Sequence, residues 1–111
     1  MDLRNYVQLI GNIGQIPIII KTSTGKSMTR FSVATNEQIK TKDGISTQTY
    51  WHNIVAWEKT AEYITKTCEK GTEVVISGKL TSRVYETKEG EKKYITEVVV
   101  NQIICNNKKT E

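Results

Sequence analysis

The sequence is short of the residues from which most active sites are built. It has one histidine, two cysteines, one proline and one phenylalanine in 111 residues. The histidine, His52, has no obvious catalytic partner along the chain, and no carboxylate pair or metal set stands out. The seven glycines form neither a P-loop nor a GxGxxG fingerprint. An enzyme is therefore not expected, and no catalytic residue, metal ligand or cofactor is assigned. Cys68 and Cys105 form no CxxC and lack a histidine at ligand spacing, so two reduced, partly buried thiols are expected. No apolar run reaches 18 residues, and the N-terminus carries no signal-peptide pattern. The expectation is a cytoplasmic protein with no membrane partner. Internal repeats and low-complexity tracts are also missing.

What is present suits one small domain. Hydrophobic residues make up 37% of the chain, enough for one modest core. The formal net charge is +4, a basicity compatible with nucleic acid without requiring it. The excess is uneven. Residues 1–36 hold Arg4, Lys21, Lys26 and Arg30 against Asp2 alone, and residues 79–93 hold five bases against three acids.

The most informative stretch is Gln48-Thr49-Tyr50-Trp51-His52-Asn53-Ile54-Val55-Ala56-Trp57, which contains both tryptophans. Its β-branched and aromatic residues favour a strand. Side chains alternate across a strand, so Trp51, Asn53, Val55 and Trp57 share one face and Tyr50, His52, Ile54 and Ala56 the other. The two indoles stand about 20 Å apart at strand spacing. That separation suits two stacking positions along an extended ligand, and filling a core is the competing reading.

Around this strand the chain reads as a small closed sheet. Residues 6–13 alternate, with Val7 and Leu9 opposite Tyr6, Gln8 and Ile10. Ile16-Pro17-Ile18-Ile19-Ile20 reads as an edge-like extended piece, since Pro17 cannot donate to a ladder. Residues 28–35 form another strand with Phe31 facing the core. Residues 36–47 read as a polar loop, long enough to protrude, with Ile39 as its apolar exception and a turn at Asp43-Gly44. From residue 58 to 69 the period becomes helical, with Trp57, Ala61, Ile64 and Cys68 recurring on one stripe and Gly71 ending it. Residues 72–80 are strand again, and residues 81–87 and 93–104 form a long hairpin around Glu89-Gly90. The expected fold is all-β with one helix: an OB-fold, a five-stranded Greek-key barrel with its helix between the third and fourth strands. Residues 1–105 form this domain, and residues 106–111 a short polar tail.

Bases are interleaved with the aromatics. Lys59 follows Trp57, Arg83 and Tyr85 share a face two residues apart, and Lys88, Lys92 and Lys93 crowd the hairpin tip. Stacking platforms along a positive groove are what sequence-tolerant binding of single strands requires, because every base has a π-face and every phosphate a charge. Taken singly, Tyr85 is as readily a packing residue and the lysines a solvated loop.

Several stretches together resemble the bacterial single-stranded DNA-binding protein family. They are Val7-Gln8-Leu9-Ile10-Gly11-Asn12-Ile13-Gly14-Gln15-Ile16-Pro17, Phe31-Ser32-Val33-Ala34-Thr35, Thr49-Tyr50-Trp51-His52, Lys70-Gly71-Thr72 and Tyr94-Ile95-Thr96-Glu97-Val98-Val99-Val100. They follow the family's order and spacing over about residues 5–105. The resemblance implies an OB-fold that assembles as a homotetramer and binds single-stranded DNA in replication, recombination or repair. It places stacking aromatics at Trp51, Trp57 and Tyr85, where the family commonly has phenylalanine at the second and often tryptophan at the third. It places bases at Lys40, Lys42, Lys59, Lys70 and Arg83. Ile39 stands where the family has a further aromatic, and Asn53 where a base is frequent. Subunit contacts are implied at Tyr6, Gln8, His52 and Val75; a satisfied or solvated lone histidine is the plainer reading of His52. The end of the chain lacks the family's acidic tail, so recruitment of other proteins through it is not expected. This end has two readings, a short tail-less member or a truncated chain. Two rival functions stay open, a primosome-type accessory protein acting through protein contacts and a structural OB module whose aromatics are core.

Overall fold

A computed structural model describes residues 3–106. The elements are β1 (Val7–Ile13), β2 (Ile20–Lys21), β3 (Ser27–Thr41), β4 (Gly44–Trp57), α1 (Glu58–Thr67), β5 (Glu73–Glu86) and β6 (Lys92–Asn106). Alternation sets the strands. Phe31 and Val33 on β3, Ile54 and Ala56 on β4, Val74 and Ile76 on β5, and Val98 and Val100 on β6 all point inward and are buried. Burying each such aliphatic side chain stabilises the fold by about 1.5–3 kcal/mol. Ala61 and Ile64 of α1 are fully buried against them and close one end of the barrel.

The sheet runs β1-β5-β6-β4-β3-β2, and an extra β1–β3 pairing closes it. All neighbours are antiparallel except β4 and β6, which run parallel through Ile54↔Val98 and Val55↔Val99. Five long strands with the helix between the third and fourth make this an OB-fold, as the sequence implies. Gly78 sits at a register shift in the β5–β6 ladder, where a Cβ would overlap the Val99 carbonyl oxygen. The close approach there bends β5 around the barrel.

Five expectations need correction. Residues 36–47 are not a loop: β3 and β4 pair without interruption from Met28↔Trp57 to Thr41↔Gly44, forming a two-stranded finger. Both faces of that ribbon are largely exposed, so no apolar alternation marks it in the sequence. Among the described residues the aliphatic run at 16–19 joins no ladder, and only Ile20–Lys21 joins the sheet, against Met28 and Ser27. Trp57 is not on the buried stripe of the helix; it ends β4 and precedes α1, while Ala61, Ile64 and Cys68 are buried. Cys68 and Cys105 are not two reduced thiols but a disulfide, with their Cα atoms 6.1 Å apart. The helix C-cap and the end of β6 meet only in the folded barrel, so no local spacing announces the pair. Asn106, assigned to the tail, is the last residue of β6; residues 107–111 lie outside the described residues.

Candidate nucleic-acid interface

The register brings residues of four strands onto one outer face. Ala34 lies opposite Trp51, Ser32 opposite Asn53 and Arg30 opposite Val55. Val55 in turn neighbours Val99 of β6, whose outward side continues through Glu97 and Ile95 to Lys93. Across β5, Thr81 faces Glu97, Arg83 faces Ile95 and Tyr85 faces Lys93. Trp51, Arg30, Glu97, Arg83 and Tyr85 therefore project from the same side of the sheet.

Neither indole fills the core. Trp51 is 62% exposed and Trp57 38%, and Tyr85 is also exposed, so each offers a ring face to solvent. Trp51 has a defined seat. Its six-membered ring lies over Gly14, where a Cβ would overlap Cζ3 and come within 2.9 Å of both Cη2 and Ser32 Oγ. Gly14 accordingly lets the indole approach the backbone after β1 closely.

The middle of the face is a charged cluster. Glu97 is 5% exposed, yet its carboxylate is fully engaged. Arg83 donates to it from Nε at 3.1 Å to Oε1 and from Nη2 at 3.3 Å to Oε2. Arg30 Nε approaches Oε2 from the opposite strand at 3.4 Å. Both guanidiniums keep over two-fifths of their side-chain surface open, 44% and 43%. Two cations on one anion leave a local net charge of +1 facing solvent. Beside them a small cavity is lined by Gln15, Ser32, Asn53 and Ile95, and Asn53 Nδ2 donates to the Thr96 carbonyl at 3.5 Å.

The remaining sequence-derived bases are scattered. Lys40 and Lys42 stand exposed at the far end of the finger, and Lys70 is exposed in the turn after α1. Lys59 lines a separate groove with Tyr6, Gln8, Tyr63 and Val75, so it borders the residues assigned to subunit contact. Ile39 lies on the finger, partly covered. His52 points away from the Trp51 side, and its Nε2 hydrogen-bonds Thr35 Oγ1 at 2.9 Å. Arg30, Glu97 and Gly14 were missed as site residues. A charged residue alternating with a core position, as Arg30 does with Phe31, was the available signal. The partnership with Glu97 depends on the β4–β6 crossing.

A barrel of this topology is of the OB class, and its outer face carries exposed aromatic rings and arginines. Comparison with known proteins narrows the class. The model of the single-strand binding protein family matches residues 4–105, and the chain belongs to that family. It is 41% identical over 97 residues to single-stranded DNA-binding protein 1 of Chlorobaculum tepidum, covering 86% of this chain and 60% of that protein. It is 36% identical over 102 residues to the single-stranded DNA-binding protein of Bacteroides thetaiotaomicron, covering 89% and 63%. The chain thus spans less than two thirds of the length of these curated relatives. The structure also resembles that of the Plasmodium falciparum SSB in complex with ssDNA. The TM-score is 0.83 at 30% identity, with 93% of this chain and 95% of that one covered. Among the described residues no helix is long and apolar enough to cross a membrane.

Proposed function

We propose that this protein binds single-stranded DNA with little regard to sequence and covers it during replication, recombination or repair, without catalysing a reaction. The observation that carries the reading is the shared face of Trp51, Arg30, Arg83 and Tyr85. Rings at its two ends stack on bases, and guanidiniums between them meet the phosphates. Trp57 adds a third ring at the end of β4. Lys40, Lys42 and Lys70 are taken as further phosphate contacts outside this face, and Lys59 as one in the separate groove at the start of α1. The family match supports this over a role confined to protein contacts.

Assembly and location belong to the same proposal. One domain of this size offers a short track, so avid binding favours several linked copies. A homotetramer is proposed, with contacts through Tyr6, Gln8, His52 and Val75; the first two and the last line one groove with residues of α1, β5 and β6. The proposed location is cytoplasmic.

Titration with oligo(dT), oligo(U) and duplex DNA at two salt concentrations tests the reading, followed by tryptophan fluorescence. Quenching and tight binding by the single strand, weakening with salt, are expected. Equal affinity for duplex, or an unchanged indole signal, overturns it.

A further inference from the structure

The central carboxylate is out of place on a surface meant for a polyanion. Glu97 lies in the middle of the face, and by charge alone it repels a phosphate backbone. Its burial argues against a passive role: it is 5% exposed, while the two arginines gripping it are both open to solvent. The geometry is that of a clamp. One edge of Arg83, Nε with Nη2, forks onto the two oxygens by hydrogen bonds, and Arg30 joins as an ion pair with its Nε 3.4 Å from Oε2. Arg83 Nη1 and both terminal nitrogens of Arg30 have no partner among the described residues.

A free arginine side chain has many rotamers, and a guanidinium pinned by its inner edge has already given up much of that freedom. Two outward-facing donor sets, held on either side of one anion, suit the non-bridging oxygens of a phosphodiester. We propose that Glu97 is a positioning residue of the strand-binding face. It fixes Arg30 and Arg83 as a preorganised pair that takes the sugar–phosphate backbone of a single strand between Trp51 and Tyr85. The inference rests on the reading that this face binds single-stranded nucleic acid. It adds Arg30 to the contacts and assigns Glu97 a favourable part in them.

The sign of one substitution decides the matter. Glu97→Gln removes a negative charge from the face. If the carboxylate only repels, oligo(dT) binds more tightly and the salt slope steepens, by up to about 0.7 for each phosphate newly neutralised. If it positions the arginines, binding weakens about tenfold despite the added positive charge, as expected for loss of a charge-assisted hydrogen bond to phosphate. The slope then does not steepen. A double-mutant cycle adds a readout that a general loss of structure does not move: in an Arg30→Gln, Arg83→Gln background the Glu97→Gln effect should vanish. Glu97→Asp keeps the charge but shortens the arm, and should weaken binding with an unchanged melting temperature; it carries the test if the glutamine variant does not fold. Normal or tighter binding by whichever variant folds, or an undiminished effect in the arginine-free background, overturns the proposal. A wild-type protein that ignores oligo(dT) instead refutes the function reading itself.

Discussion

Gly14→Ala should separate binding from stability. The new Cβ overlaps Trp51 Cζ3 and stands 2.9 Å from Cη2 and from Ser32 Oγ, so the indole must swing off its seat. The swing costs the fold little, because Trp51 is 62% exposed and Ser32 can change rotamer. Gly14 is not among the glycines with positive φ, so alanine is accepted there without backbone strain. It also lowers the entropy of the unfolded chain, worth about 0.4–1 kcal/mol in favour of folding. Stacking one base on a ring is worth about 1–3 kcal/mol, and displacing the ring forfeits part of it. The expectation is a melting temperature equal to or above wild type, with oligo(dT) affinity reduced about fivefold, or about 1 kcal/mol. The assay uses a Trp57→Phe background, so that fluorescence reports Trp51 alone, and pairs a melt with an oligo(dT) titration. Unchanged affinity with an unchanged emission spectrum would show that Gly14 does not seat the ring. A collapse in stability would place Trp51 in the packing after all.

Trp51→Ala should weaken oligo(dT) binding by about 1–3 kcal/mol with little change in melting, whereas unfolding would return the indole to the core reading. Thr29 is fully buried, and its Oγ1 has no hydrogen-bond partner among the described residues; Thr29→Val should therefore stabilise by about 1 kcal/mol in denaturant titration, and a loss of stability would reveal a hidden partner. The Cys68–Cys105 bond closes a separation of 37 residues, so dithiothreitol should lower unfolding free energy by about 3–4 kcal/mol on a chain-entropy basis, and an unaffected melt would mean the thiols are not joined. Sedimentation at micromolar concentration should show a tetramer, and a monomer would remove the assembly.

The barrel was legible because burial is one-sided there. Phe31 and Val33 alternate with outward residues, as do Ile54 and Ala56, and the same alternation in the structure puts them in the core. The helix was legible for the same reason at Ala61 and Ile64. The finger was not, since a ribbon wet on both sides has no reason to alternate; its pairing from Asn36↔Thr49 to Thr41↔Gly44 is carried by the backbone ladder. The run at Ile18 and Ile19 misled in the opposite direction. β-branched residues suggest a strand, but among the described residues the run at 16–19 joins no ladder, and pairing resumes only where Ile20 meets Met28.

The interface divides along the same line. Trp51 and Tyr85 could be singled out because aromatic chemistry shows within one strand, and alternation places each on a face. Glu97 could not. It lies in a run of strand-forming residues, and an isolated glutamate there reads as an ordinary solvated position. Three separate pairings change its meaning. β3–β4 sets Arg30 beside Val55, the parallel β4–β6 contact sets Val55 beside Val99, and β5–β6 sets Thr81 beside Glu97. Only with all three in register do two guanidiniums reach one carboxylate from opposite sides, at 3.1–3.4 Å. A one-residue slip in any of them would turn Arg30 or Arg83 toward the core, where an unpaired guanidinium is costly. On the proposed reading the cluster ties register to function: the contacts that keep both arginines on the outer face also set the spacing at which they would meet a phosphate backbone.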